Sequence, residues 1–266
     1  MGDVFHCDER RKQAFCCGKG CAVTPTILDL FCGAGGVSCG YTQAGFRCVG
    51  VDINPQKNYP YEFHQADALE YLREHGHEFD AIHASPPCQK FTALRTMPNA
   101  KEHISLVEPV RELLIKSGKQ YVIENVPGAP LINPVVLCGT MFNLGCADGE
   151  LRRHRLFECS FYVLAPECKH GSIRPQVIGV YGGGGVHGGR PPRKRPTTVG
   201  VWGNAGGFSY RDGSQQYSTI ERREAMGIDW MTGNELSQAI PPAYTRFIGE
   251  YLLAKLSNPN RELAPI

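Results

Sequence analysis

A cysteine and a carboxylate, each set where an apolar run gives way to a turn, are the residues of this chain best suited to chemistry. Phe79-Asp80-Ala81-Ile82-His83-Ala84-Ser85 reads as a buried strand and runs into Pro86-Pro87-Cys88-Gln89. A stiff proline turn after a strand presents a thiol instead of packing it away, which suits Cys88 to nucleophilic attack. A second apolar run, Tyr121-Val122-Ile123, ends in Glu124-Asn125-Val126, so Glu124 stands at another strand end. A thiol and a carboxylic acid at adjacent strand ends are what attack on a pyrimidine ring needs. The bland alternatives are a buried structural thiol and a capping or salt-bridged carboxylate.

The elements that position these residues alternate between strand-like and helix-like segments over residues 26–150. That is the pattern of a parallel sheet with helices on its faces. Strands are expected at 26–31, 46–53, 64–67, 79–84 and 120–123, and helices at 38–44, 68–75 and 104–117. From about 165 to 218 the chain turns glycine- and proline-rich, as in Tyr181-Gly182-Gly183-Gly184-Gly185, and short strands and loops are expected there. Helical character returns at 220–226 and 244–256.

Four chemically loaded features fall at predicted strand ends, where open α/β sheets bind ligands. The turn Phe31-Cys32-Gly33-Ala34-Gly35-Gly36 allows close backbone approach but does not fit G-x-G-x-x-G, which weakens a dinucleotide reading. Asp52 follows at the distance where a carboxylate takes both hydroxyls of a ribose. Asp67 could accept from an adenine amino group. Together they fit a nucleoside cofactor with no pyrophosphate. Cys88 and Glu124 complete the set.

Asp29-Leu30-Phe31-Cys32-Gly33-Ala34-Gly35-Gly36, Pro86-Pro87-Cys88-Gln89, Glu124-Asn125-Val126 and Arg153-His154-Arg155 occur in an order that resembles the cytosine-C5 DNA methyltransferases. Arg222-Arg223-Glu224-Ala225-Met226-Gly227 and Gln238-Ala239-Ile240-Pro241-Pro242 are similar to that family's closing motifs. The resemblance covers roughly residues 26–256, and the short variable region is like that of phage-encoded members.

The resemblance implies an S-adenosylmethionine-dependent methyltransferase fold: a Rossmann-like mixed α/β sheet with helices on both faces and a small irregular target-recognition lobe. It implies a methyl donor, S-adenosylmethionine, held by Phe31, Gly33, Gly35, Gly36, Asp52, Ile53, Asp67, Pro87, Gln238 and Ala239. Cys88, Glu124, Arg153 and Arg155 become the catalytic residues. Gln89, Arg190, Arg193, Lys194 and Arg195 become contacts to double-stranded DNA, whose target cytosine must be flipped out. The divisions expected are an extension at 1–24, a catalytic and cofactor-binding part at 25–160, a target-recognition region at 161–218 and a return to the catalytic domain at 219–266. Two positions depart from the family pattern: Leu151 stands where a Gln is usual, and Ser237-Gln238 stands where Gly-Asn is common.

Composition is compatible with this reading. Hydrophobic residues make up 42% and charged residues 20% of 266, ordinary for a globular chain with one substantial core. No run approaches the roughly 18 apolar residues of a membrane helix, and the first 24 residues show no apolar signal core. The expectation is a cytoplasmic protein of a bacterial or phage-infected cell, monomeric and without an obligate protein partner. Net charge is only +2, but Arg152-Arg153-His154-Arg155 and Arg190-Pro191-Pro192-Arg193-Lys194-Arg195 concentrate positive charge suited to phosphate. Either could instead be a solvated positive face. Trp202, Phe208 and Tyr210 read more safely as core than as base contacts.

The 12 cysteines argue for reduced thiols. Cys32, Cys39 and Cys48 read as small core residues. His6, Cys7, Cys16, Cys17 and Cys21 cluster near the start, but they lack a clean C-x₂-C pair. Cys159, Cys168 and His170 raise the same question. The sequence reading assigns no metal ligands. Methylation of RNA, by a branch with the same motifs, and a catalytically weak DNA-binding protein are the competing functions.

Overall fold

Strands buried on both faces read as nearly continuous apolar runs, and such runs build the parallel part of the sheet. A computed structural model describes residues 24–87, 105–146, 149–170 and 217–258, and the backbone of strands at 176–179 and 198–200. The main sheet holds seven strands. They are β1 (Thr26–Leu30), β2 (Arg47–Asp52), β3 (Glu62–Gln65), β4 (Ala81–Ala84), β5 (Gln120–Asn125), β6 (Val135–Leu137) and β9 (Arg155–Cys159). Their order is β3-β2-β1-β4-β5-β9-β6. β1 to β5 run parallel, with Leu30 beside both Val51 and Ala84. β9 runs antiparallel to β5 on one side and β6 on the other.

Chain order reverses at β1, which has β2 on one side and β4 on the other. The crevice at the carboxyl ends of those strands is therefore the ligand position for this topology. Helices α1 (Gly36–Ala44), α2 (Ala68–His75), α3 (Val107–Ser117) and α6 (Pro242–Ser257) cover the sheet. Alternation along β1 assigns them to two faces. Ile27 packs with Val37, Tyr41, Tyr244 and Ile248 of α1 and α6. Leu28 and Leu30 pack with Leu72, Val110 and Leu114 of α2 and α3. Helices on both faces of a mixed sheet match the expected fold class.

α6 lies directly on α1, and small residues let it do so. A Cβ on Gly40 would meet Thr245 Oγ1 at 2.1 Å, and one on Gly249 would meet the Ala44 Cβ at 2.7 Å. Thr245 donates to the Val37 carbonyl across the contact at 2.8 Å.

A second sheet of four strands runs β11-β10-β8-β7, formed by β7 (Gly145–Cys146), β8 (Gly149–Leu151), β10 (Gln176–Gly179) and β11 (Thr198–Gly200). Two short strands thus fall inside the glycine-rich stretch, as expected. Helices α4 (Thr219–Met226) and α5 (Gly233–Gln238) open with capping boxes at Ser218 and Thr232. Among the described residues, no helix is long and apolar enough to cross a membrane.

Three details differ from expectation. β3 ends at Gln65, because the Asp67 carboxylate caps α2 by accepting from Leu69 and Glu70 N–H at 2.9 and 3.0 Å. Glu124 lies within β5, one residue before its end. The reversed strand β9, its partner β6 and the short α5 were not anticipated.

Candidate active site

The carboxyl ends of β1, β2 and β5 carry the glycine turn, Asp52 and Glu124. At the end of β1, Phe31 and Gly33 both adopt left-handed backbone, with φ of 59° and 49°. The turn therefore reverses sharply into α1, with Gly35 as the helix cap at φ 87°. Gly33 N–H donates to Asp52 Oδ2 at 3.2 Å, and Asn54 N–H donates to Asp52 Oδ1 at 2.9 Å. The end of β2 thus carries a carboxylate held against the glycine turn. Among the described residues, none comes within 4 Å of where a Gly33 Cβ would sit. Ile53 beside it is 65% exposed, an apolar surface that the protein leaves uncovered.

Gly36 is needed for close packing on the other side. A Cβ there would meet the Ile240 carbonyl at 2.5 Å. This brings Ala239 and Ile240, which follow α5, against the turn, where the Trp230 indole also donates to the Ala34 carbonyl at 2.8 Å; Gln238 is the last residue of α5. Asp67 is exposed on the same edge of the sheet, with Oδ1 engaged in its helix cap.

β4 delivers Ser85, Pro86 and Pro87 to the crevice. Asn125 Nδ2 donates to the Pro86 carbonyl at 3.0 Å and ties the proline turn to the end of β5. Cys88 and Gln89 lie outside the described residues, as do Arg190, Arg193, Lys194, Arg195, Trp202, Phe208, Tyr210 and the amino-terminal cysteines.

Glu124 is buried and forms an ion pair with Arg155, whose Nε stands 3.0 Å from Glu124 Oε1. Burial raises its pKa, opposed by the Arg155 charge, a hydrogen bond from Ser85 and the Arg153 charge. A polar chain leads to it through the core. Tyr41 Oη lies 2.9 Å from His83 Nδ1, and His83 Nε2 lies 3.1 Å from Ser85 Oγ. Burial pushes the His83 pKa down to about 3, so the ring is neutral and can accept at one nitrogen while donating from the other.

The two arginines divide their work. Arg155 on β9 faces Glu124, whereas Arg153 donates from Nη2 to the Ser237 carbonyl at 3.0 Å, and its own carbonyl accepts from Tyr244 at 2.5 Å. Arg153 therefore ties the Arg-His-Arg segment to the α5–α6 junction. The two family departures have local explanations. Leu151 is fully buried in a cluster with Ala34, Met226 and Leu236, and Ser237 contributes its backbone carbonyl.

Several supporting residues were not singled out as site residues. Asp29 is fully buried beneath the glycine turn, accepting from Ser38 at 2.5 Å, while Ser38 Oγ lies 2.7 Å from Tyr59 Oη. A carboxylate inside an apolar strand was the available signal. His83 in β4 and Ser85 just past its end carried the same kind of signal, whereas Trp230 and Ser237 carried none. Cys32, Cys39 and Cys48 are buried, as expected of core fillers.

The mixed sheet thus carries a glycine turn and Asp52 at its switch point and a buried acid–arginine pair at the end of β5. Residues 25–132 match the C-5 cytosine-specific DNA methylase family. Among curated proteins, the chain is 33% identical over 119 residues to the Type II methyltransferase M1.HphI of Haemophilus parahaemolyticus, covering 38% of this chain and 32% of that protein. It is 32% identical over 118 residues to the Type II methyltransferase M.HgiDI of Herpetosiphon aurantiacus, covering 39% and 38%. The matched stretch thus spans about a third of each of these relatives. A prophage-encoded E. coli protein described as a DNA modification methyltransferase shares the fold, with a TM-score of 0.53 at 14% identity over 88% of this chain and all of that one.

Proposed function

We propose that the chain is a DNA cytosine-C5 methyltransferase that uses S-adenosylmethionine. The observation that carries this reading is the buried Glu124–Arg155 pair beside a Pro86-Pro87 turn that leads to Cys88. The family match supports DNA as substrate. The division into an amino-terminal extension, a catalytic part, a target-recognition region over 161–218 and a closing catalytic segment is part of the same proposal.

The cradle fits the cofactor. Asp52 takes the ribose hydroxyls, the uncovered Ile53 packs on adenine, and Asp67 accepts from the adenine amino group. Phe31, Gly33, Gly35 and Gly36 let the backbone approach, with Pro87, Gln238 and Ala239 closing the methionine side. When bound, S-adenosylmethionine supplies an electrophilic methyl group on sulfur.

The protein's own groups make cytosine able to take it. C5 is a poor nucleophile until aromatic conjugation is broken. The Cys88 thiolate adds to C6, and the ring becomes enamine-like at C5. Glu124, its pKa raised by burial, shares its proton with N3 and relieves the negative charge that develops in the ring. Arg155 holds Glu124 and the base edge in register. After methylation of C5, loss of the C5 proton re-forms the double bond and expels Cys88. Such a pocket requires the base to leave the helix, at a cost of a few kcal/mol. Gln89, Arg190, Arg193, Lys194 and Arg195 contact the DNA.

Transfer of labelled methyl from S-adenosylmethionine to duplex DNA and to tRNA, each mapped by bisulfite sequencing, tests the reading. 5-Methylcytosine in DNA is expected, and Glu124→Gln should lower the transfer rate on the order of a hundredfold or more while the fold persists. Methylation confined to RNA, or an unchanged Glu124→Gln rate, would overturn it.

A further inference from the structure

We infer that Cys138, His154, Cys168 and His170 form a structural zinc site. Their ligand atoms all lie within 4.8 Å of one another. The four residues come from three segments that meet only through the fold. Leu137 pairs with Arg155 across the antiparallel β6–β9 ladder, so the same register continued sets Cys138 opposite His154. The chain leaving β9 then returns with Cys168-Lys169-His170.

The spacing suits tetrahedral coordination. Zinc binds cysteine sulfur at about 2.3 Å and histidine nitrogen at about 2.0–2.1 Å, so neighbouring sulfur and nitrogen ligands stand about 3.5 Å apart. Cys138 Sγ lies 3.3 Å from His170 Nε2, and Cys168 Sγ lies 3.6 Å from His154 Nε2. Cys168 Sγ and His170 Nε2, at 2.9 Å, separate by roughly half an ångström to admit the ion. The two imidazole planes are inclined at 80°, which lets both nitrogens aim at one point from different directions.

Ordinary hydrogen bonding accounts poorly for this convergence. One nitrogen of His170 is approached by both sulfurs, and thiols are weak donors. A shared cation explains why sulfurs and nitrogens alternate around one centre. The buried Thr140 hydroxyl adds an outer contact, 3.4 Å from Cys138 Sγ and 3.5 Å from Cys168 Sγ, where a hydroxyl donor stabilises thiolate. Two thiolates and two imidazoles select zinc among common cations, and four protein ligands leave no open position for catalysis. Cys159, which the sequence grouped with Cys168 and His170, is not part of the cluster; it sits on β9, packed against the core. Cys138 and His154 take that place.

The site would fasten His154, the residue between Arg153 and Arg155. It would also anchor the segment leading toward β10. The inference stands without the proposed reaction, because it is read from metal content. Tag-free full-length protein expressed with zinc supplementation is assayed by inductively coupled plasma mass spectrometry, alongside the double variant Cys168→Ser/His170→Ala. Both of those residues are exposed, and circular dichroism checks that the variant folds. The wild type is expected to hold one zinc equivalent per chain more than the variant. This difference excludes any metal held by the amino-terminal cysteines. Cobalt(II) added to metal-free wild type should give the intense ligand-field bands of a tetrahedral thiolate site, absent from the variant. Equal zinc content in the two proteins, a wild type without zinc, or a Cys138–Cys168 disulfide in its place would overturn the inference.

Discussion

Asp29 shows how a single buried carboxylate can shape the pH response of this fold. Burial, against the Ser38 hydrogen bond, raises its pKa to about 7, and the Asp52 and Glu124 charges add to the rise. The native state therefore holds a proton that the unfolded chain releases from about pH 4 upward, and stability is lost as pH climbs toward the folded value. His83 works in the opposite direction. Its folded pKa of about 3 means that stability falls as pH drops below the ordinary histidine range. Comparing Asp29→Asn with wild type isolates the first effect, since His83 is common to both. The variant should gain on wild type between pH 5 and pH 8 in denaturant melts. A deficit that stays constant or widens toward pH 8 would contradict the assignment. At this scale the sequence was informative where chemistry forces residue type. Cys88, Glu124, Asp52 and the glycine turn stood out because a polar or conformationally special residue interrupted an apolar run. The separate tasks of Arg153 and Arg155 were not legible, because one residue of spacing on a chain entering a strand says nothing about which carbonyl or carboxylate each will meet.

At the scale of elements, the packing of α6 on α1 is a close helix–helix contact. It depends on Gly40 and Gly249, where a side chain would enter occupied space. Gly40→Val should destabilise the protein by about 3 kcal/mol or prevent folding, because the clash is with backbone and a locked threonine, which cannot yield easily. Chemical denaturation measures this, and a loss under about 1 kcal/mol would show that the two helices can part without cost. The parallel strands and long helices were legible because each buries a periodic apolar face. The β6–β9 pairing was not, since Val135–Leu137 spans only three residues and strand direction is decided by tertiary pairing. α5 has six residues, too few to establish a helical period. The Cys₂His₂ cluster was hidden for the same reason: its ligands meet only after β6 and β9 pair.

At the scale of the whole molecule, the sheet carries the glycine turn and Asp52 at the ends of β1 and β2, where the proposed cofactor would sit, and an acid–arginine pair on β5 and β9. Between them lies the turn that continues into Cys88. The antiparallel β9 is the link, because it carries Arg155 to Glu124 and its leading residue His154 to the proposed zinc. A small second sheet extends from the same region into the glycine-rich stretch, where β10 pairs with β8. The proposed reaction thus places donor and base on opposite sides of one crevice, with DNA held by residues from the stretch around 190–195.

The central claim is that the Cys88 sulfur bonds transiently to C6 of an extruded cytosine. A DNA duplex carrying 5-fluorocytosine at the methylated position tests it most directly, because fluorine at C5 cannot leave as a proton and the adduct cannot resolve. With S-adenosylmethionine present, the account predicts a denaturation-resistant protein–DNA species, mapped to Cys88 by mass spectrometry and absent from Cys88→Ala. A wild-type protein that methylates unmodified DNA at that site yet forms no such species would contradict it.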